Sequence, residues 1–597
     1  MSLKTGPFWA VLGSRKPVGR GPPVIIRYIY LGWMRSRMQR FVADSRRARE
    51  LQHTTLLSKV LRNRDSAFGR DHGFARIRSA ADFRARVPVR TYEEHRPYIN
   101  RVLAGDVNAL FAPGTKVLMF AMTSGTTGEP KRVPITAELF REYKAGWHIW
   151  AGGLYTDYPR LLLKRSLQLS SDWQQYRAPS GVPCGQISGL AASTRPRIGQ
   201  FMFLPPPATT RIHDAAAKHY TTLRFALANR KVGSIMTANP SSLVEFARRA
   251  NQNCESLLRD IHDGTLTCDV PADVRRSLAR AIGRRRPHRA RELERLISAH
   301  GALLPKHAWP ALSVVAVWTG GSVGVFLPQL PELYGDTVVR DHGLSASEGR
   351  MTIPLENGTS AGLLDFYHHY FEFIPVEEYG AASPTVLEAH ELESGRDYYI
   401  LLTTSGGLYR YDIHDVVRCV GFRGEAPLLE FLNKGKHFSN LTGEKLSEHQ
   451  VVRAVEKSFA ELGLPVDYFA ISPVMEEQPR YVLLVEPKYR RGVEAGLAAR
   501  VQTNLELLNE EYASKCASGR IRPVAVREVA PGTWYNMRQQ RTSARGNFEE
   551  YKHAFLVEDL SFVERMTSGA VAAAAATPIP LQGGTPGDSP THTPAAA

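Results

Sequence analysis

Residues 116–136 read KVLMFAMTSGTTGEPKRVPIT, and no other stretch constrains the chain as tightly. The apolar run 117–122 has the length and composition of a buried strand. It stops at Thr123-Ser124-Gly125-Thr126-Thr127-Gly128, followed by Glu129-Pro130-Lys131. Glycines let the backbone turn tightly and approach a ligand closely. The threonines and the serine add hydroxyls, so the loop can aim several N–H and O–H donors at one anion, with Lys131 as the cation. A polyphosphate is the natural target. The spacing is not that of the common P-loop, which needs four residues between its glycines and then Gly-Lys-Ser/Thr. On these residues alone, a flexible polar turn between two strands is the competing reading.

Composition narrows the class. At 597 residues the chain is long enough for more than one domain, and its 43% hydrophobic content is ordinary for a soluble protein. No apolar run reaches the ~18 residues of a membrane span. The greasiest early stretch, residues 25–34, is interrupted by arginine and lacks a small-residue cleavage site, so it is not read as a signal peptide. The 5 cysteines, Cys184, Cys254, Cys268, Cys419 and Cys516, show no metal-ligand spacing, which implies a reducing cytoplasm without disulfides. The net charge is +18, densest at residues 275–295 (RRSLARAIGRRRPHRARELER), a helical pattern broken near Pro287. That patch lacks interleaved aromatics and any nucleic-acid-binding signature, so nucleic acid is not expected. A solvated basic surface is the plain reading, and an anionic substrate or acidic carrier protein is the alternative.

The phosphate-type loop resembles that of the acyl-adenylate-forming enzymes, which include luciferases, acyl-CoA synthetases and peptide-synthetase adenylation domains. Other motifs narrow the resemblance. Phe68-Gly69-Arg70-x-His72-Gly73-Phe74, then Phe83, Val87-Pro88-Val89, Tyr92 and Pro97-Tyr98-Ile99, are similar to the Gretchen Hagen three family of auxin-responsive acyl acid–amido synthetases, which has bacterial members. The resemblance runs over roughly residues 38–560. It implies an α/β fold: a large N-terminal adenylate-forming domain of mixed sheets and helices, and a smaller mobile C-terminal α/β domain. The expected divisions are a basic, loosely ordered segment 1–37, a large ATP- and acid-binding domain 38–432, a hinge 433–439, a small domain 440–565 and an Ala/Pro tail 566–597. Helical periodicity from residue 38 to 62 puts Leu57, Val60 and Leu61 on one face.

Candidate site residues follow at strand ends. The apolar run 312–318 ends in Thr319-Gly320-Gly321-Ser322, and a strand stopping at a Gly-rich turn is where open α/β sheets bind ligands. A further strand, 337–341, leads to Gly343-Leu344-Ser345-Ala346-Ser347-Glu348-Gly349. A carboxylate among small residues just past a strand suits Mg²⁺, which takes few protein carboxylates. The resemblance gives Glu348 that metal role beside Ser347, and Leu344 departs from the family's adenine-stacking Tyr. Phe371-Glu372-Phe373 reads only as a strand with one outward Glu. In Tyr409-Arg410-Tyr411-Asp412-Ile413-His414-Asp415-Val416-Val417, alignment on Asp-Val-Val makes Asp415 the ribose-gripping carboxylate, with Tyr409 beside it. His414 then stands in for the usual glycine, and Asp412 competes for the role.

Residues 440–446 (NLTGEKL) resemble the start of the family's small domain, where a lysine reaches the α-phosphate; this role is carried to Lys445. Behind it, Ser447 and Gln450 have capping-box spacing ahead of an apolar face at Val451, Val452, Val455, Phe459 and Leu462. Lys552, in GNFEEYK at 546–552, is the second lysine that the resemblance implies. The implied reaction is adenylation of a carboxylic acid by Mg·ATP, then attack by an amine, expected to be an amino acid. A thiol acceptor, coenzyme A or a carrier-protein arm, stays open as the alternative, as does a non-catalytic nucleotide-binding protein. A monomer without a membrane span is expected.

Overall fold

The computed structural model describes residues 24–123, 131–195, 200–435, 438–439, 441, 444, 446–465, 467–476, 478–487, 493–518, 520–545 and 553–568. Helix α1 (Val24–Asp44) starts well before residue 38, so a helix occupies part of the segment 1–37 expected to be loose. It lies along the helix that holds Gly152, where a Cβ on that glycine would sit 2.5 Å from the Met34 carbonyl oxygen. Helix α2 (Ala48–Arg62) buries Leu56, Lys59 and Val60. Leu61 turns outward at 58% exposure, so the face expected from periodicity is rotated by part of a turn. The Phe68–Phe74 motif is packing, not chemistry. Phe68 is fully buried and stacks on His72, His95 and Tyr409. A Cβ on Gly69 would lie 2.2 Å from the Asn63 carbonyl oxygen.

Strands β1 (Val117–Thr123) and β2 (Lys131–Thr136) form an antiparallel pair within a 4-stranded sheet, as the apolar run predicts. Helix α3 (Ala137–Asp157) follows at once, capped by the Thr136 hydroxyl. A 5-stranded sheet comes next, built from β3 (Arg165–Gln168), β4 (Phe203–Leu204), β5 (Val232–Met236), β6 (Val314–Val317) and β7 (Val338–Asp341). Its order is β4-β3-β5-β6-β7, and each neighbouring pair is parallel. All five strands therefore end on one side, where ligands bind in open parallel sheets. The basic stretch 275–295 spans helices α4 (Ala272–Ile282) and α5 (Pro287–His300), broken as expected at Pro287. It is not wholly solvated. Arg289 is buried and donates to the carbonyl oxygens of Leu227 and Ala308 at 2.9 and 2.6 Å.

A 7-stranded antiparallel sheet carries the remaining site residues. Its centre is β8 (Tyr370–Pro375), β9 (Asp397–Thr403), β10 (Tyr411–Arg423) and β11 (Ala426–Lys434), each paired with the next. Glu372 on β8 does not point to solvent. It is buried and accepts from Arg84 and Arg410, each at 2.9 Å, so the sheet's other face is packed too. Asn433 and Lys434, expected in a hinge, belong to β11.

In the small domain, the Ser447 hydroxyl and Gln450 close a reciprocal capping box on α6 (Glu448–Glu461). Val451, Val452, Val455 and Phe459 face its core, as the periodicity predicts. A 3-stranded sheet runs β12 (Phe469–Val474), β13 (Arg480–Val485), β14 (Arg522–Glu528). Helix α7 (Val493–Leu508) buries Leu497, Val501 and Leu505 against it, while Leu508 is exposed. The two parts of the chain touch where Phe326, on the segment after Gly321, inserts among Tyr468 and Phe555 of the small domain. Among the described residues no helix is long and apolar enough to cross a membrane.

Candidate active site

The site is assembled from strand ends that meet at the base of one loop. Thr123 and Lys131 are cross-strand partners, so the chain leaves and re-enters at a single point. Ser124, Gly125, Thr126, Thr127 and Gly128 lie outside the described residues, and Thr123 is described by its backbone. Lys131 stands at the foot of this loop. Its Nζ donates to the Tyr411 hydroxyl at 3.1 Å and lies over the rings of Tyr92 and Tyr411, 5.4 and 5.7 Å from their centroids. Tyr92 in turn fixes the start of β2 by accepting the Arg132 N–H at 2.8 Å.

Tyr411 links this lysine to a carboxylate. Its hydroxyl donates to Glu348 Oε1 at 3.3 Å. Burial, and then the charges of Glu348, Asp415 and Asp412, push the Tyr411 pKa far up, so the hydroxyl stays protonated and serves as a donor. Glu348 is buried, and its other oxygen has no partner among the described residues. It sits on a tight turn past β7: Ser345 bridges to Arg350, and Ala346 and Gly349 exchange backbone hydrogen bonds. Ser347 occupies that turn, half-buried. Leu344 packs against the main core, so its departure from an aromatic residue leaves an apolar contact without a ring.

Asp415 lies four residues on from Tyr411 along β10, directly across the ladder from Lys434, with which it forms an ion pair. Its competitor, Asp412, is already engaged. It accepts from the Tyr379 hydroxyl at 2.6 Å and from the His414 N–H at 2.7 Å, and lies 3.0 Å from His414 Nδ1. Burial opposes ionisation of Asp412, but these hydrogen bonds outweigh it and hold the carboxyl below its usual pKa. His414 has φ +59°, the left-handed conformation that favours glycine, and its N–H bond to Asp412 helps hold it there.

The Trp-Thr-Gly-Gly turn is tied to the Glu348 turn by a residue that sequence reasoning missed. Asp341, the last residue of β7, accepts the Thr319 N–H and hydroxyl through Oδ2 at 2.6 and 2.8 Å, and the Gly343 N–H through Oδ1 at 2.6 Å. The Trp318 indole adds a bond to the Gly343 carbonyl at 3.0 Å. Gly320 and Gly321 press against β11. At Gly321, φ is +66° and a Cβ would sit 2.8 Å from the Phe431 ring, so no side chain fits.

Tyr409 does not join this group. It is fully buried in the main core, stacked on Phe68, and its hydroxyl accepts from Asn63 at 2.8 Å. Tyr411 takes the position expected of it. The reason is local: Arg410, between them, has φ +45°, which breaks the alternation that would put both tyrosines on one face. Lys445 and Lys552 lie outside the described residues. Their neighbours are anchored in the small domain: buried Glu444 accepts from the Leu441 N–H at 2.7 Å and from the Tyr481 hydroxyl, and the His553 ring bonds the Phe469 carbonyl at 2.7 Å. Among the described residues no group of three or more His, Cys, Asp or Glu is placed to hold a metal. Glu348 has one oxygen without a partner among the described residues, and a single carboxylate is a sparse protein ligand set of the kind Mg²⁺ accepts.

Three family models match in succession: the GH3 family N-terminal domain over residues 37–339, its central domain over 362–434 and its C-terminal domain over 449–561. The chain is 26% identical over 523 residues to the indole-3-acetic acid-amido synthetase GH3.8 of Oryza sativa subsp. indica, covering 82% of this chain and 85% of that protein. To the indole-3-acetic acid-amido synthetase GH3.3 of Arabidopsis thaliana it is 22% identical over 561 residues, covering 89% and 93%. Among solved structures, the GH3.15 acyl acid amido synthetase superposes with a TM-score of 0.78 at 21% identity, covering 89% of this chain and 95% of that one.

Proposed function

This chain belongs to the GH3 family, and from that premise we propose that it is an ATP-dependent ligase that adenylates a carboxylic acid and transfers the acyl group to an amine, an amino acid, forming an amide. One observation carries the reading: Lys131 and Glu348, from two separate segments, meet on the buried hydroxyl of Tyr411 at the foot of the loop expected to hold phosphates, on the same strand as Asp415, whose charge helps push the Tyr411 pKa up.

In this reading the loop from Thr123 to Gly128 and Lys131 hold the triphosphate, and Asp415 grips the ribose hydroxyls as a carboxylate accepting two donors. Thr319, Gly320 and Gly321, held by Asp341, form the wall beside the nucleotide, with Ser347 next to Glu348. Mg²⁺, when bound, would spread the phosphate charge, with Glu348 as its protein ligand. Tyr411 keeps Lys131 and Glu348 apart while bonded to both, so neither cancels the other before substrate arrives. Lys445, carried in on the small domain, and Lys552 complete the cationic surround of the α-phosphorus. The acid's oxygen bonds to that phosphorus as pyrophosphate leaves. The amine nitrogen then bonds to the acyl carbon as AMP leaves, with one proton released. The residues position the partners and neutralise charge, and domain closure excludes water that would hydrolyse the adenylate.

A panel of carboxylic acids that includes indole-3-acetic acid, scored for acid-dependent pyrophosphate release, tests the first step. Mass spectrometry of the products with amino acids or coenzyme A as acceptor tests the second. An amide product is expected. A thioester product would reassign the acceptor, and no acid-dependent release with any acid would refute adenylation. Lys445→Ala is expected to slow adenylation far more than it weakens ATP binding, and equal adenylation rates would remove its role.

A further inference from the structure

The parallel sheet has a second end, and it carries a cavity of about 530 Å³. Arg165 opens β3 and Lys231 directly precedes β5, so this cavity lies at the amino ends of the strands. Thr319 and Asp341, at the candidate active site, follow the carboxyl ends. The lining includes Arg27 from α1, Lys164, Arg165, Lys231 and, at the head of α5, Arg286; its one carboxylate is Glu292.

That carboxylate is already spoken for. It pairs with Arg230 at 3.0 Å and Arg289 at 2.8 Å. The side chains of Lys164, Arg165, Lys231 and Arg286 have no hydrogen-bond or ion-pair partner among the described residues. Arg165 is the most telling of them. It is half-buried, and burial together with the charges of Arg27, Arg286 and Arg284 pushes its pKa below the usual guanidinium value. Like charges held this close, without an acid, mark a place whose counter-charge comes from outside the chain's own packing. Residues 1–23 contain Lys4, Arg15, Lys16 and Arg20 but no Asp or Glu, and residues 569–597 contain Asp588 alone.

We propose that this cavity is a binding site for a small molecule bearing adjacent phosphates, separate from the site of adenylation. The chemistry favours phosphate because guanidinium forks match its oxygens bidentately, and several stand around one concavity. The volume lies within the range of small-ligand pockets. Phe201 and Leu163 supply an apolar wall against which the body of such a ligand rests. A nucleic acid strand would ask for an extended groove with repeated aromatic platforms, and this is a single concavity with one aromatic ring.

Inorganic tripolyphosphate, titrated calorimetrically into the full chain in EDTA, is the probe. Lys131→Ala serves as background to remove the share bound at the phosphate loop. In that background, saturable one-to-one binding is expected, weakening steeply with salt. Lys231→Glu with Arg286→Glu, both on exposed positions, is expected to weaken it at least tenfold, with acid-dependent pyrophosphate release unchanged when made in the parent chain. Arg165→Lys is expected to weaken binding to a smaller degree, because a point charge replaces a fork. Equal affinity in the charge-reversed variant would overturn the proposal. So would loss of all binding on Lys131→Ala alone, or tighter binding of a single-stranded RNA 20-mer or an acidic carrier protein than of tripolyphosphate through the same residues. The binding readouts do not depend on the enzyme turning over, so failure here is distinguishable from failure of the ligase assignment.

Discussion

Tyr411 is the residue on which the site turns, because one hydroxyl holds a cation and a carboxylate 3.1 and 3.3 Å away on either side. The two aspartates flanking it separate by how they are already occupied. Asp412 is consumed by Tyr379 and His414, whereas Asp415 faces only a lysine that can move. Asp415→Ala is therefore expected to raise the Kd for ATP roughly 10- to 100-fold, the worth of one charge-assisted contact of about 1.5–3 kcal/mol. Asp412→Ala is expected to lower stability instead, with a smaller change in Kd; calorimetric titration with ATP compares the two, and the reverse ranking would exchange their roles. At His414, replacement by Gly removes a left-handed penalty of about 1–2 kcal/mol but also the ring beside Asp412. His414→Gly is thus expected to stay within about 1 kcal/mol of the parent, while His414→Val, whose branched Cβ resists φ +59°, falls clearly below it in denaturant midpoint. At this scale a motif can fix an alignment, as Asp-Val-Val does in making Asp415 the candidate. The sequence was unreadable where one backbone angle decided the matter. Tyr409 and Tyr411 are the same residue type two places apart, and only the turn at Arg410 sends one to the core and the other to the site.

Among elements, the strands were easy to read because apolar runs with turns at both ends are a local signal. The runs at 117–122 and 312–318 lie on β1 and β6. What joins the strands was not local. Asp341 closes the adjacent turns at Thr319 and Gly343, contacts that depend on β6 and β7 being neighbours. Glu372, read as an outward residue, meets Arg84 from the helix Ala80–Arg86 and Arg410 from the turn just before β10, partners that only the fold brings to it. The second glycine of the Trp-Thr-Gly-Gly turn is where an element-level test is sharpest. Gly321→Ala places a methyl group 2.8 Å from the Phe431 ring at φ +66°, and about 1–3 kcal/mol of stability is expected to be lost. Because the turn also forms the proposed nucleotide wall, ATP binding is expected to weaken with it; urea midpoints and ATP titration on the same sample check both.

For the molecule as a whole, the division into a large and a small α/β part comes from the family resemblance, with helix–strand alternation along the chain supporting the small part. The seam between the parts was invisible in sequence. Phe326, in an otherwise unremarked stretch, crosses from the large part into the hydrophobic core of the small one. Phe326→Ala is expected to cost about 3–5 kcal/mol where the parts meet, and scanning calorimetry should then resolve two unfolding transitions in place of one coupled one. A single unchanged transition would show that the parts are joined elsewhere. The net charge of +18 is likewise a whole-chain property whose placement no local pattern reveals: some arginines brace carbonyl oxygens, as Arg289 does, while others surround the cavity at the amino ends of the parallel strands.

The ion pair between Lys434 and Asp415 has one more consequence. Lys434 ends β11, and the next residue, Gly435, is pinned by its N–H to the His414 carbonyl at 2.7 Å and by the Tyr399 hydroxyl at 3.3 Å. If Asp415 grips the ribose as proposed, the sugar would displace Lys434 from this pair at the last residue of β11, and the displacement would act on the chain that leads to the small domain. Lys434→Met should leave nucleotide affinity intact yet abolish any nucleotide-dependent change in protease cleavage near that stretch; an identical cleavage response in both proteins would mean the effect travels by another route.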